Sequence, residues 1–139
     1  MKPLIRNILA VIAGFLGGSL INMGLIRLGH LLFPVPGIFS QDINALAEVM
    51  PDLEAKHFLF PFLAHALGTL CGSLLVGLIA AGHKMAFALS VGVLFLAGGL
   101  LACFMIPAPS WFIAVDLLLA YLPMAWLGGK TAIKYTNHR

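Results

Sequence analysis

MAFALSVGVLFLAGGLLACFMI, residues 85–106, runs for 22 positions without a charged side chain. At about 1.5 Å of rise per residue, a helix of this length spans a hydrocarbon core about 30 Å thick. Lipid offers no hydrogen-bonding partner to an open strand edge, which leaves helix as the conformation of such a run. Three similar stretches occupy residues 5–32, 58–81 and 111–128. Short links, Gly82-His83-Lys84 and Pro107-Ala108-Pro109-Ser110, separate the last three. Links this short make neighbouring helices run antiparallel. The expected fold is all-α: a transmembrane antiparallel four-helix bundle forming a single domain over residues 1–139.

Composition agrees with this class. The chain has 139 residues, 61% hydrophobic and 9% charged, against roughly 25% charged residues in an average soluble domain. Its mean hydropathy is +1.04. At about 20 residues per span there is no room for a separate hydrophilic domain. The first run has the basic start and apolar core of a signal peptide. It stays apolar and uncharged as far as Ile26, however, and no small-x-small cleavage site follows, so it reads as a retained span.

Basic residues orient the bundle. Lys2, Arg6, Lys84, Lys130, Lys134 and Arg139 share one side of a four-span topology, and Lys56 lies in the loop on the other. The positive-inside rule then puts both termini in the cytoplasm. The net charge of +3 arises from dispersed anchors of this kind. That pattern argues against nucleic acid as a partner. The lipid bilayer is the expected partner, joined by a second copy of the chain or a larger membrane complex.

The loop at residues 33–57 is the one stretch outside the spans long enough to fold. Pro34-Val35-Pro36-Gly37 ends the first helix. Ile43, Leu46, Ala47 and Met50 then recur at helical spacing, with Asp42, Asn44 and Glu48 on other faces. This predicts a short amphipathic helix in the first extracytoplasmic loop. Pro51 suits a first helical turn, and Asp52 and Glu54 suit its positive end. A shielding connector is the simpler reading of the loop; a lid is the alternative.

Small residues mark the packing faces. Ala10, Gly14 and Gly18 repeat every fourth position, followed by Asn22. Gly68 and Gly72 do the same in the second span. His65, Gly68, Thr69, Gly72 and Val76 share one helical face. Such spacing lets membrane helices approach closely. Ala86, Ser90, Ala97, Gly98 and Ala102 supply the third span.

Asp116 is the one acidic residue inside an apolar run; Asp42, Glu48, Asp52 and Glu54 all belong to the loop. An ionisable group at membrane depth costs roughly 2.5–3.5 kcal/mol on insertion scales and calls for a partner. Counting along the helices puts Arg27, His65 and Asp116 roughly 7–11 Å below the outer interface. Asn22 and Tyr121 lie one to two turns deeper. The expected site is therefore an outer-facing polar cluster of Arg27, His65, Asp116, Asn22 and Tyr121, with Arg27 as the charge partner of Asp116. A buried ion pair that sets helix register is the structural reading of this cluster. A binding site for a small polar or ionic species is the functional one. Arg27 could instead snorkel to the interface and leave Asp116 to others.

Other chemistries find less support. His30 and His57 flank the loop, but no His-Glu-x-x-His or paired-cysteine spacing accompanies them, and no metal or cofactor is expected. His30 lies too near the surface to match His65 as a haem ligand. Cys71 and Cys103 are isolated and read as small apolar residues. No nucleophile elbow surrounds any serine. Pro123 deprives the carbonyl near Leu119 of its usual bond and predicts a bend beside Tyr121. Trp111 and Trp126 suit the two interfacial belts.

The segments from Lys56 to Thr69, KHFLFPFLAHALGT, and from Pro109 to Lys130, with Trp111, Asp116, Tyr121, Pro123 and Gly128-Gly129, resemble small bacterial four-span integral membrane proteins. The likeness covers nearly the whole chain. It implies an inner-membrane four-helix protein and supplies no mechanism. Gly68-Thr69-Leu70 with Gly72-Ser73 is also similar to the second span of small fluoride channels. That family's intervening asparagine and its Thr-Thr-Phe-Ser run are absent, so the match fails.

The leading expectation is a non-catalytic membrane protein that binds or passes a small polar or ionic species. The alternatives are a membrane enzyme acting on a lipid or membrane-soluble substrate, with His65 as acid/base, and an accessory subunit of a larger complex.

Overall fold

A computed structural model describes residues 2–37 and 42–138. Among these residues the chain is all-α, without strands: α1 (Pro3–Leu32), α2 (Ile43–Val49), a 3-10 turn (Met50–Asp52), α3 (Lys56–Ile79), α4 (Lys84–Met105), α5 (Ser110–Leu119) and α6 (Leu122–Asn137). Four helical lengths are long and apolar enough to cross a membrane: α1, α3, α4 and the α5–α6 pair.

Local chemistry explains the boundaries. Pro3 opens α1, where its missing amide hydrogen costs nothing. The same helix ends on Phe33, whose N–H returns to Gly29 O at 2.8 Å, just before Pro34. Asp42 caps α2 by accepting from Ala45 N at 3.0 Å. The loop helix thus forms as the spacing predicts, although residues 38–41 lie outside the described residues. Pro51 sits in the 3-10 turn, and α3 begins four residues after Asp52. The turn between α3 and α4 passes through His83 in the left-handed region, at φ 48°.

Span four is interrupted at the bend that Pro123 predicts and runs past its expected end. Residues 111–128 read as one helix, but the structure breaks it after Leu119 and continues as α6 to Asn137. Pro123 has no N–H for Leu119 O, and Tyr121 leaves helical geometry at φ −113°, ψ −83°. The chain resumes with Ala125 N donating to Tyr121 O at 2.8 Å.

Helix α3 touches α1, α4, α5 and α6 and is the centre of the assembly. Its partnership with α1 rests on reciprocal glycines. A Cβ on Gly72 would come 2.6 Å from Gly14 O, and one on Gly68 would come 2.9 Å from Gly18 O. Any side chain there would drive the backbones apart. The opposed order of these pairs shows that α1 and α3 run antiparallel. On the other side of α3, Ser73 and Leu70 meet Gly128, and Gly77 meets Ala132. Ser73 also bridges to α4, donating to Ala88 O at 3.0 Å. The outside is apolar: Leu20, Leu31, Phe104 and Leu118 are each more than 70% exposed.

Candidate functional site

Asp116 is 4% exposed, on the buried face of α5. Both its carboxylate oxygens lie 2.9 Å from His65 Nδ1 on α3. Tyr121 donates its hydroxyl to Oδ2 at 2.9 Å. With two acceptor oxygens facing it, Nδ1 carries the proton. The contact orients the imidazole and leaves Nε2, on the opposite edge of the ring, without a hydrogen-bond partner among the described residues. The His65 and Tyr121 rings stack at 5.6 Å, and the histidine side chain keeps 20% exposure.

The helix break is what brings Tyr121 to the site. Five residues along an unbroken helix would place it about 140° around the axis from Asp116. The irregular backbone at Tyr121 turns the ring back toward the carboxylate. Gly99 on α4 clears the space, since a Cβ there would collide with the Tyr121 ring and hydroxyl. Sequence reading selected Gly98 for packing; it faces open space, and Gly99 is the contact residue. Adjacent glycines carry no signal that distinguishes them. Next to the site, Phe58 packs on Phe112 at 4.8 Å and on Trp111 at 5.5 Å, joining the starts of α3 and α5.

Three of the five expected site residues therefore converge: His65, Asp116 and Tyr121. Arg27 does not, which corrects the expected charge pair. It is exposed on α1, and among the described residues it makes no ion pair or hydrogen bond. The reason is azimuthal: Arg27 is nine residues from buried Gly18, roughly half a turn around the helix. Depth alone suggested the pairing. Asn22 lies nearby in the α1–α3 seam, its Cβ 3.1 Å from where a Cβ on Gly68 would stand, rather than on the carboxylate.

His30 and His57 line a separate small cleft with Phe33, Leu46 and Met50, roofed by the loop helix. His65 is not part of that lining. Among the described residues no three His, Cys, Asp or Glu side chains gather to hold a metal. Cys71 and Cys103 are free thiols.

No protein-family model, curated protein or solved structure matches the chain. The chemistry of the site must therefore carry the functional reading. Asp116 supplies negative charge and orientation, Tyr121 a second hydrogen bond, and His65 a nitrogen able to accept or exchange a proton.

Proposed function

We propose that this is an integral membrane protein of the small bacterial four-span type, with both termini cytoplasmic. In this reading it binds or passes a small polar or ionic species at the Asp116–His65–Tyr121 cluster. The observation that carries the reading is a buried carboxylate holding an imidazole whose second nitrogen is free. Ionisable groups at membrane depth mark ligand and ion pathways more often than they serve packing. The apolar exterior suits lipid, and the opposed helix order suits an antiparallel four-helix bundle. A unit this small would complete a path through self-association or within a larger complex.

Reconstitution of the full-length protein into liposomes tests the reading. Gradients of H+, Na+, K+ and ammonium are imposed in turn, and their decay is followed with ion-sensitive dyes. Wild type should accelerate the decay of at least one gradient, and Asp116→Asn and His65→Ala should each slow that decay at least tenfold. Equal decay in wild type and both variants, together with equal cell fitness, would remove the cluster from function and leave an accessory role.

A second reading draws on the same Asp-oriented imidazole, which is the arrangement a general acid/base requires. His65 would then serve an enzyme acting on a lipid or membrane-soluble substrate. Loss of a reaction in His65→Ala with ligand binding retained would favour it.

A further inference from the structure

The cleft beneath the loop helix holds two imidazoles that nothing within the chain engages. His30, in the last turn of α1, and His57, in the first turn of α3, both line it, as does Met50 at the end of α2. Neither imidazole makes a hydrogen bond among the described residues, whereas His65 is held by Asp116. Packing brings the two helix ends together. Gly29, the residue before His30, lies against Phe60 so closely that a Cβ there would collide with it. Phe33, just beyond α1, meets the His57 ring edge-on at 6.4 Å and the Phe60 ring at 6.1 Å.

Helix-end electrostatics account for only one of these histidines. His30 suits the negative C-terminal end of α1, but His57 stands at the positive end of α3, where a cationic side chain gains nothing. What the two share is the cleft. Its volume is about 30 Å3, room for roughly two water molecules at about 10–15 Å3 each. That space suits a single ion rather than a ring or an acyl chain. Phe33 and Leu46 supply apolar wall, and among the described residues no carboxylate lines the cleft. Leu46 is 9% exposed and seats the loop helix over it.

We propose that His30, His57 and Met50 form a site for a single copper(I) ion. The site is separate from the Asp116 cluster and does not depend on the reading given to it. The donor types select the metal. A thioether is a soft ligand and imidazole suits copper, so the pair together favours copper(I). Calcium and magnesium take oxygen ligands, and the lining offers no carboxylate. Zinc takes at least three nitrogen, thiolate or carboxylate donors, and two imidazoles fall short. Charge points the same way. All three donors are neutral, so the ion brings its whole charge into an apolar cleft, where one unit costs less than two. The donors come from α1, the end of α2 and α3, so no local spacing announces them.

The test uses untagged full-length protein in lipid nanodiscs under argon. Copper(I), kept reduced with ascorbate, is titrated against a colorimetric copper(I) chelator, and zinc(II) is offered in a separate titration. One copper(I) per chain is expected, with X-ray absorption at the copper edge showing nitrogen and sulfur neighbours. Cys71 and Cys103 are free thiols, so the same result is required of Cys71→Ala/Cys103→Ala protein. Substitutions behind a metal ligand already cost about 10–100-fold in affinity. His30→Gln, His57→Gln and Met50→Leu should therefore each weaken binding by about tenfold or more, with helicity by circular dichroism unchanged. Met50→Leu should also remove the sulfur neighbour. No stoichiometric binding, or zinc(II) bound as tightly as copper(I), overturns the proposal. So does loss of the site with the two thiols. The spectrum of the thiol-free protein decides without any change to the cleft: nitrogen neighbours alone refute the thioether, and sulfur beside nitrogen upholds it.

Discussion

Helix α3 is held at its C-terminal end and within its N-terminal half by polar side chains that work in opposite ways. At the C-terminal end, Arg6 Nε donates to Ile79 O at 2.6 Å, and Asn7 Oδ1 accepts from Ala81 N at 2.8 Å. These α1 side chains complete the hydrogen bonding of a helix terminus, and the arginine meets the negative end of the helix dipole. Nine residues in from the start of the helix, His65, Asp116 and Tyr121 bond to one another and leave the helix backbone alone. A side chain that caps backbone has an obvious structural duty. Three polar side chains that meet inside apolar helices, leaving one ring nitrogen spare, do not.

The comparison is broken most severely at Asp116. Replacing it with leucine removes the shared acceptor and orphans two groups, Nδ1–H of His65 and the hydroxyl of Tyr121. At about 1–3 kcal/mol for each unsatisfied buried group, the expected loss is roughly 2–6 kcal/mol. Unfolding in mixed detergent or by heat would report it. Asp116→Asn keeps an acceptor for Tyr121 and should cost less stability while removing the charge. If Asp116→Leu proved as stable as wild type, the cluster would be a bystander in packing, and its place in function would need another explanation.

A smaller effect is expected at the opposite end. Asn7→Leu takes the acceptor from Ala81 N, a half-buried group that water reaches on local opening. The expected cost is about 1 kcal/mol, with flux and ligand response unchanged. Hydrogen exchange at Ala81 is the direct measurement and should quicken, while exchange near His65 stays as it was. Altered binding in Asn7→Leu would show that the two regions are coupled through α3 and that the division of labour is false.

How much of this was legible depends on which geometric coordinate the sequence encodes. Hydrophobic run length encodes span count, and the observed α1, α3 and α4 begin and end within about two residues of the expected limits. Glycine spacing encodes the α1–α3 face, with Gly14, Gly18, Gly68 and Gly72 all in the seam. Counting along the helices puts Asp116 and His65 at a common level, and the two side chains meet. Level does not fix azimuth: Arg27 lies opposite buried Gly18 on α1 and turns outward. The helix break was half legible: Pro123 announces a lost bond, but the return of Tyr121 onto Asp116 depends on backbone angles at one residue. The Arg6 and Asn7 contacts were invisible because their partners are main-chain atoms more than 70 residues away. A main-chain carbonyl has no sequence signature.

The least effect is expected from a third polar contact, on the surface beside the start of α3. Lys56 Nζ lies 3.0 Å from Glu54 Oε2, with side chains 49% and 74% exposed. The hydrogen bond from Lys56, and then its charge, hold the Glu54 carboxyl below its ordinary value of 4.5. A depressed folded value means that any stabilisation is complete above the unfolded value and disappears as the pH falls through the folded one. The window lies on the acid side of 4.5, and neutral pH is outside it. Solvent screening and side-chain entropy keep exposed pairs of this kind weak. Lys56→Met should therefore raise the Glu54 titration midpoint toward 4.5, read by carboxyl NMR, without moving the unfolding midpoint at pH 7. A loss at pH 7 as large as that of Asn7→Leu would mean that an exposed contact weighs as much as a half-buried one. Burial would then no longer explain why Asp116 stands apart from the other acids of the chain.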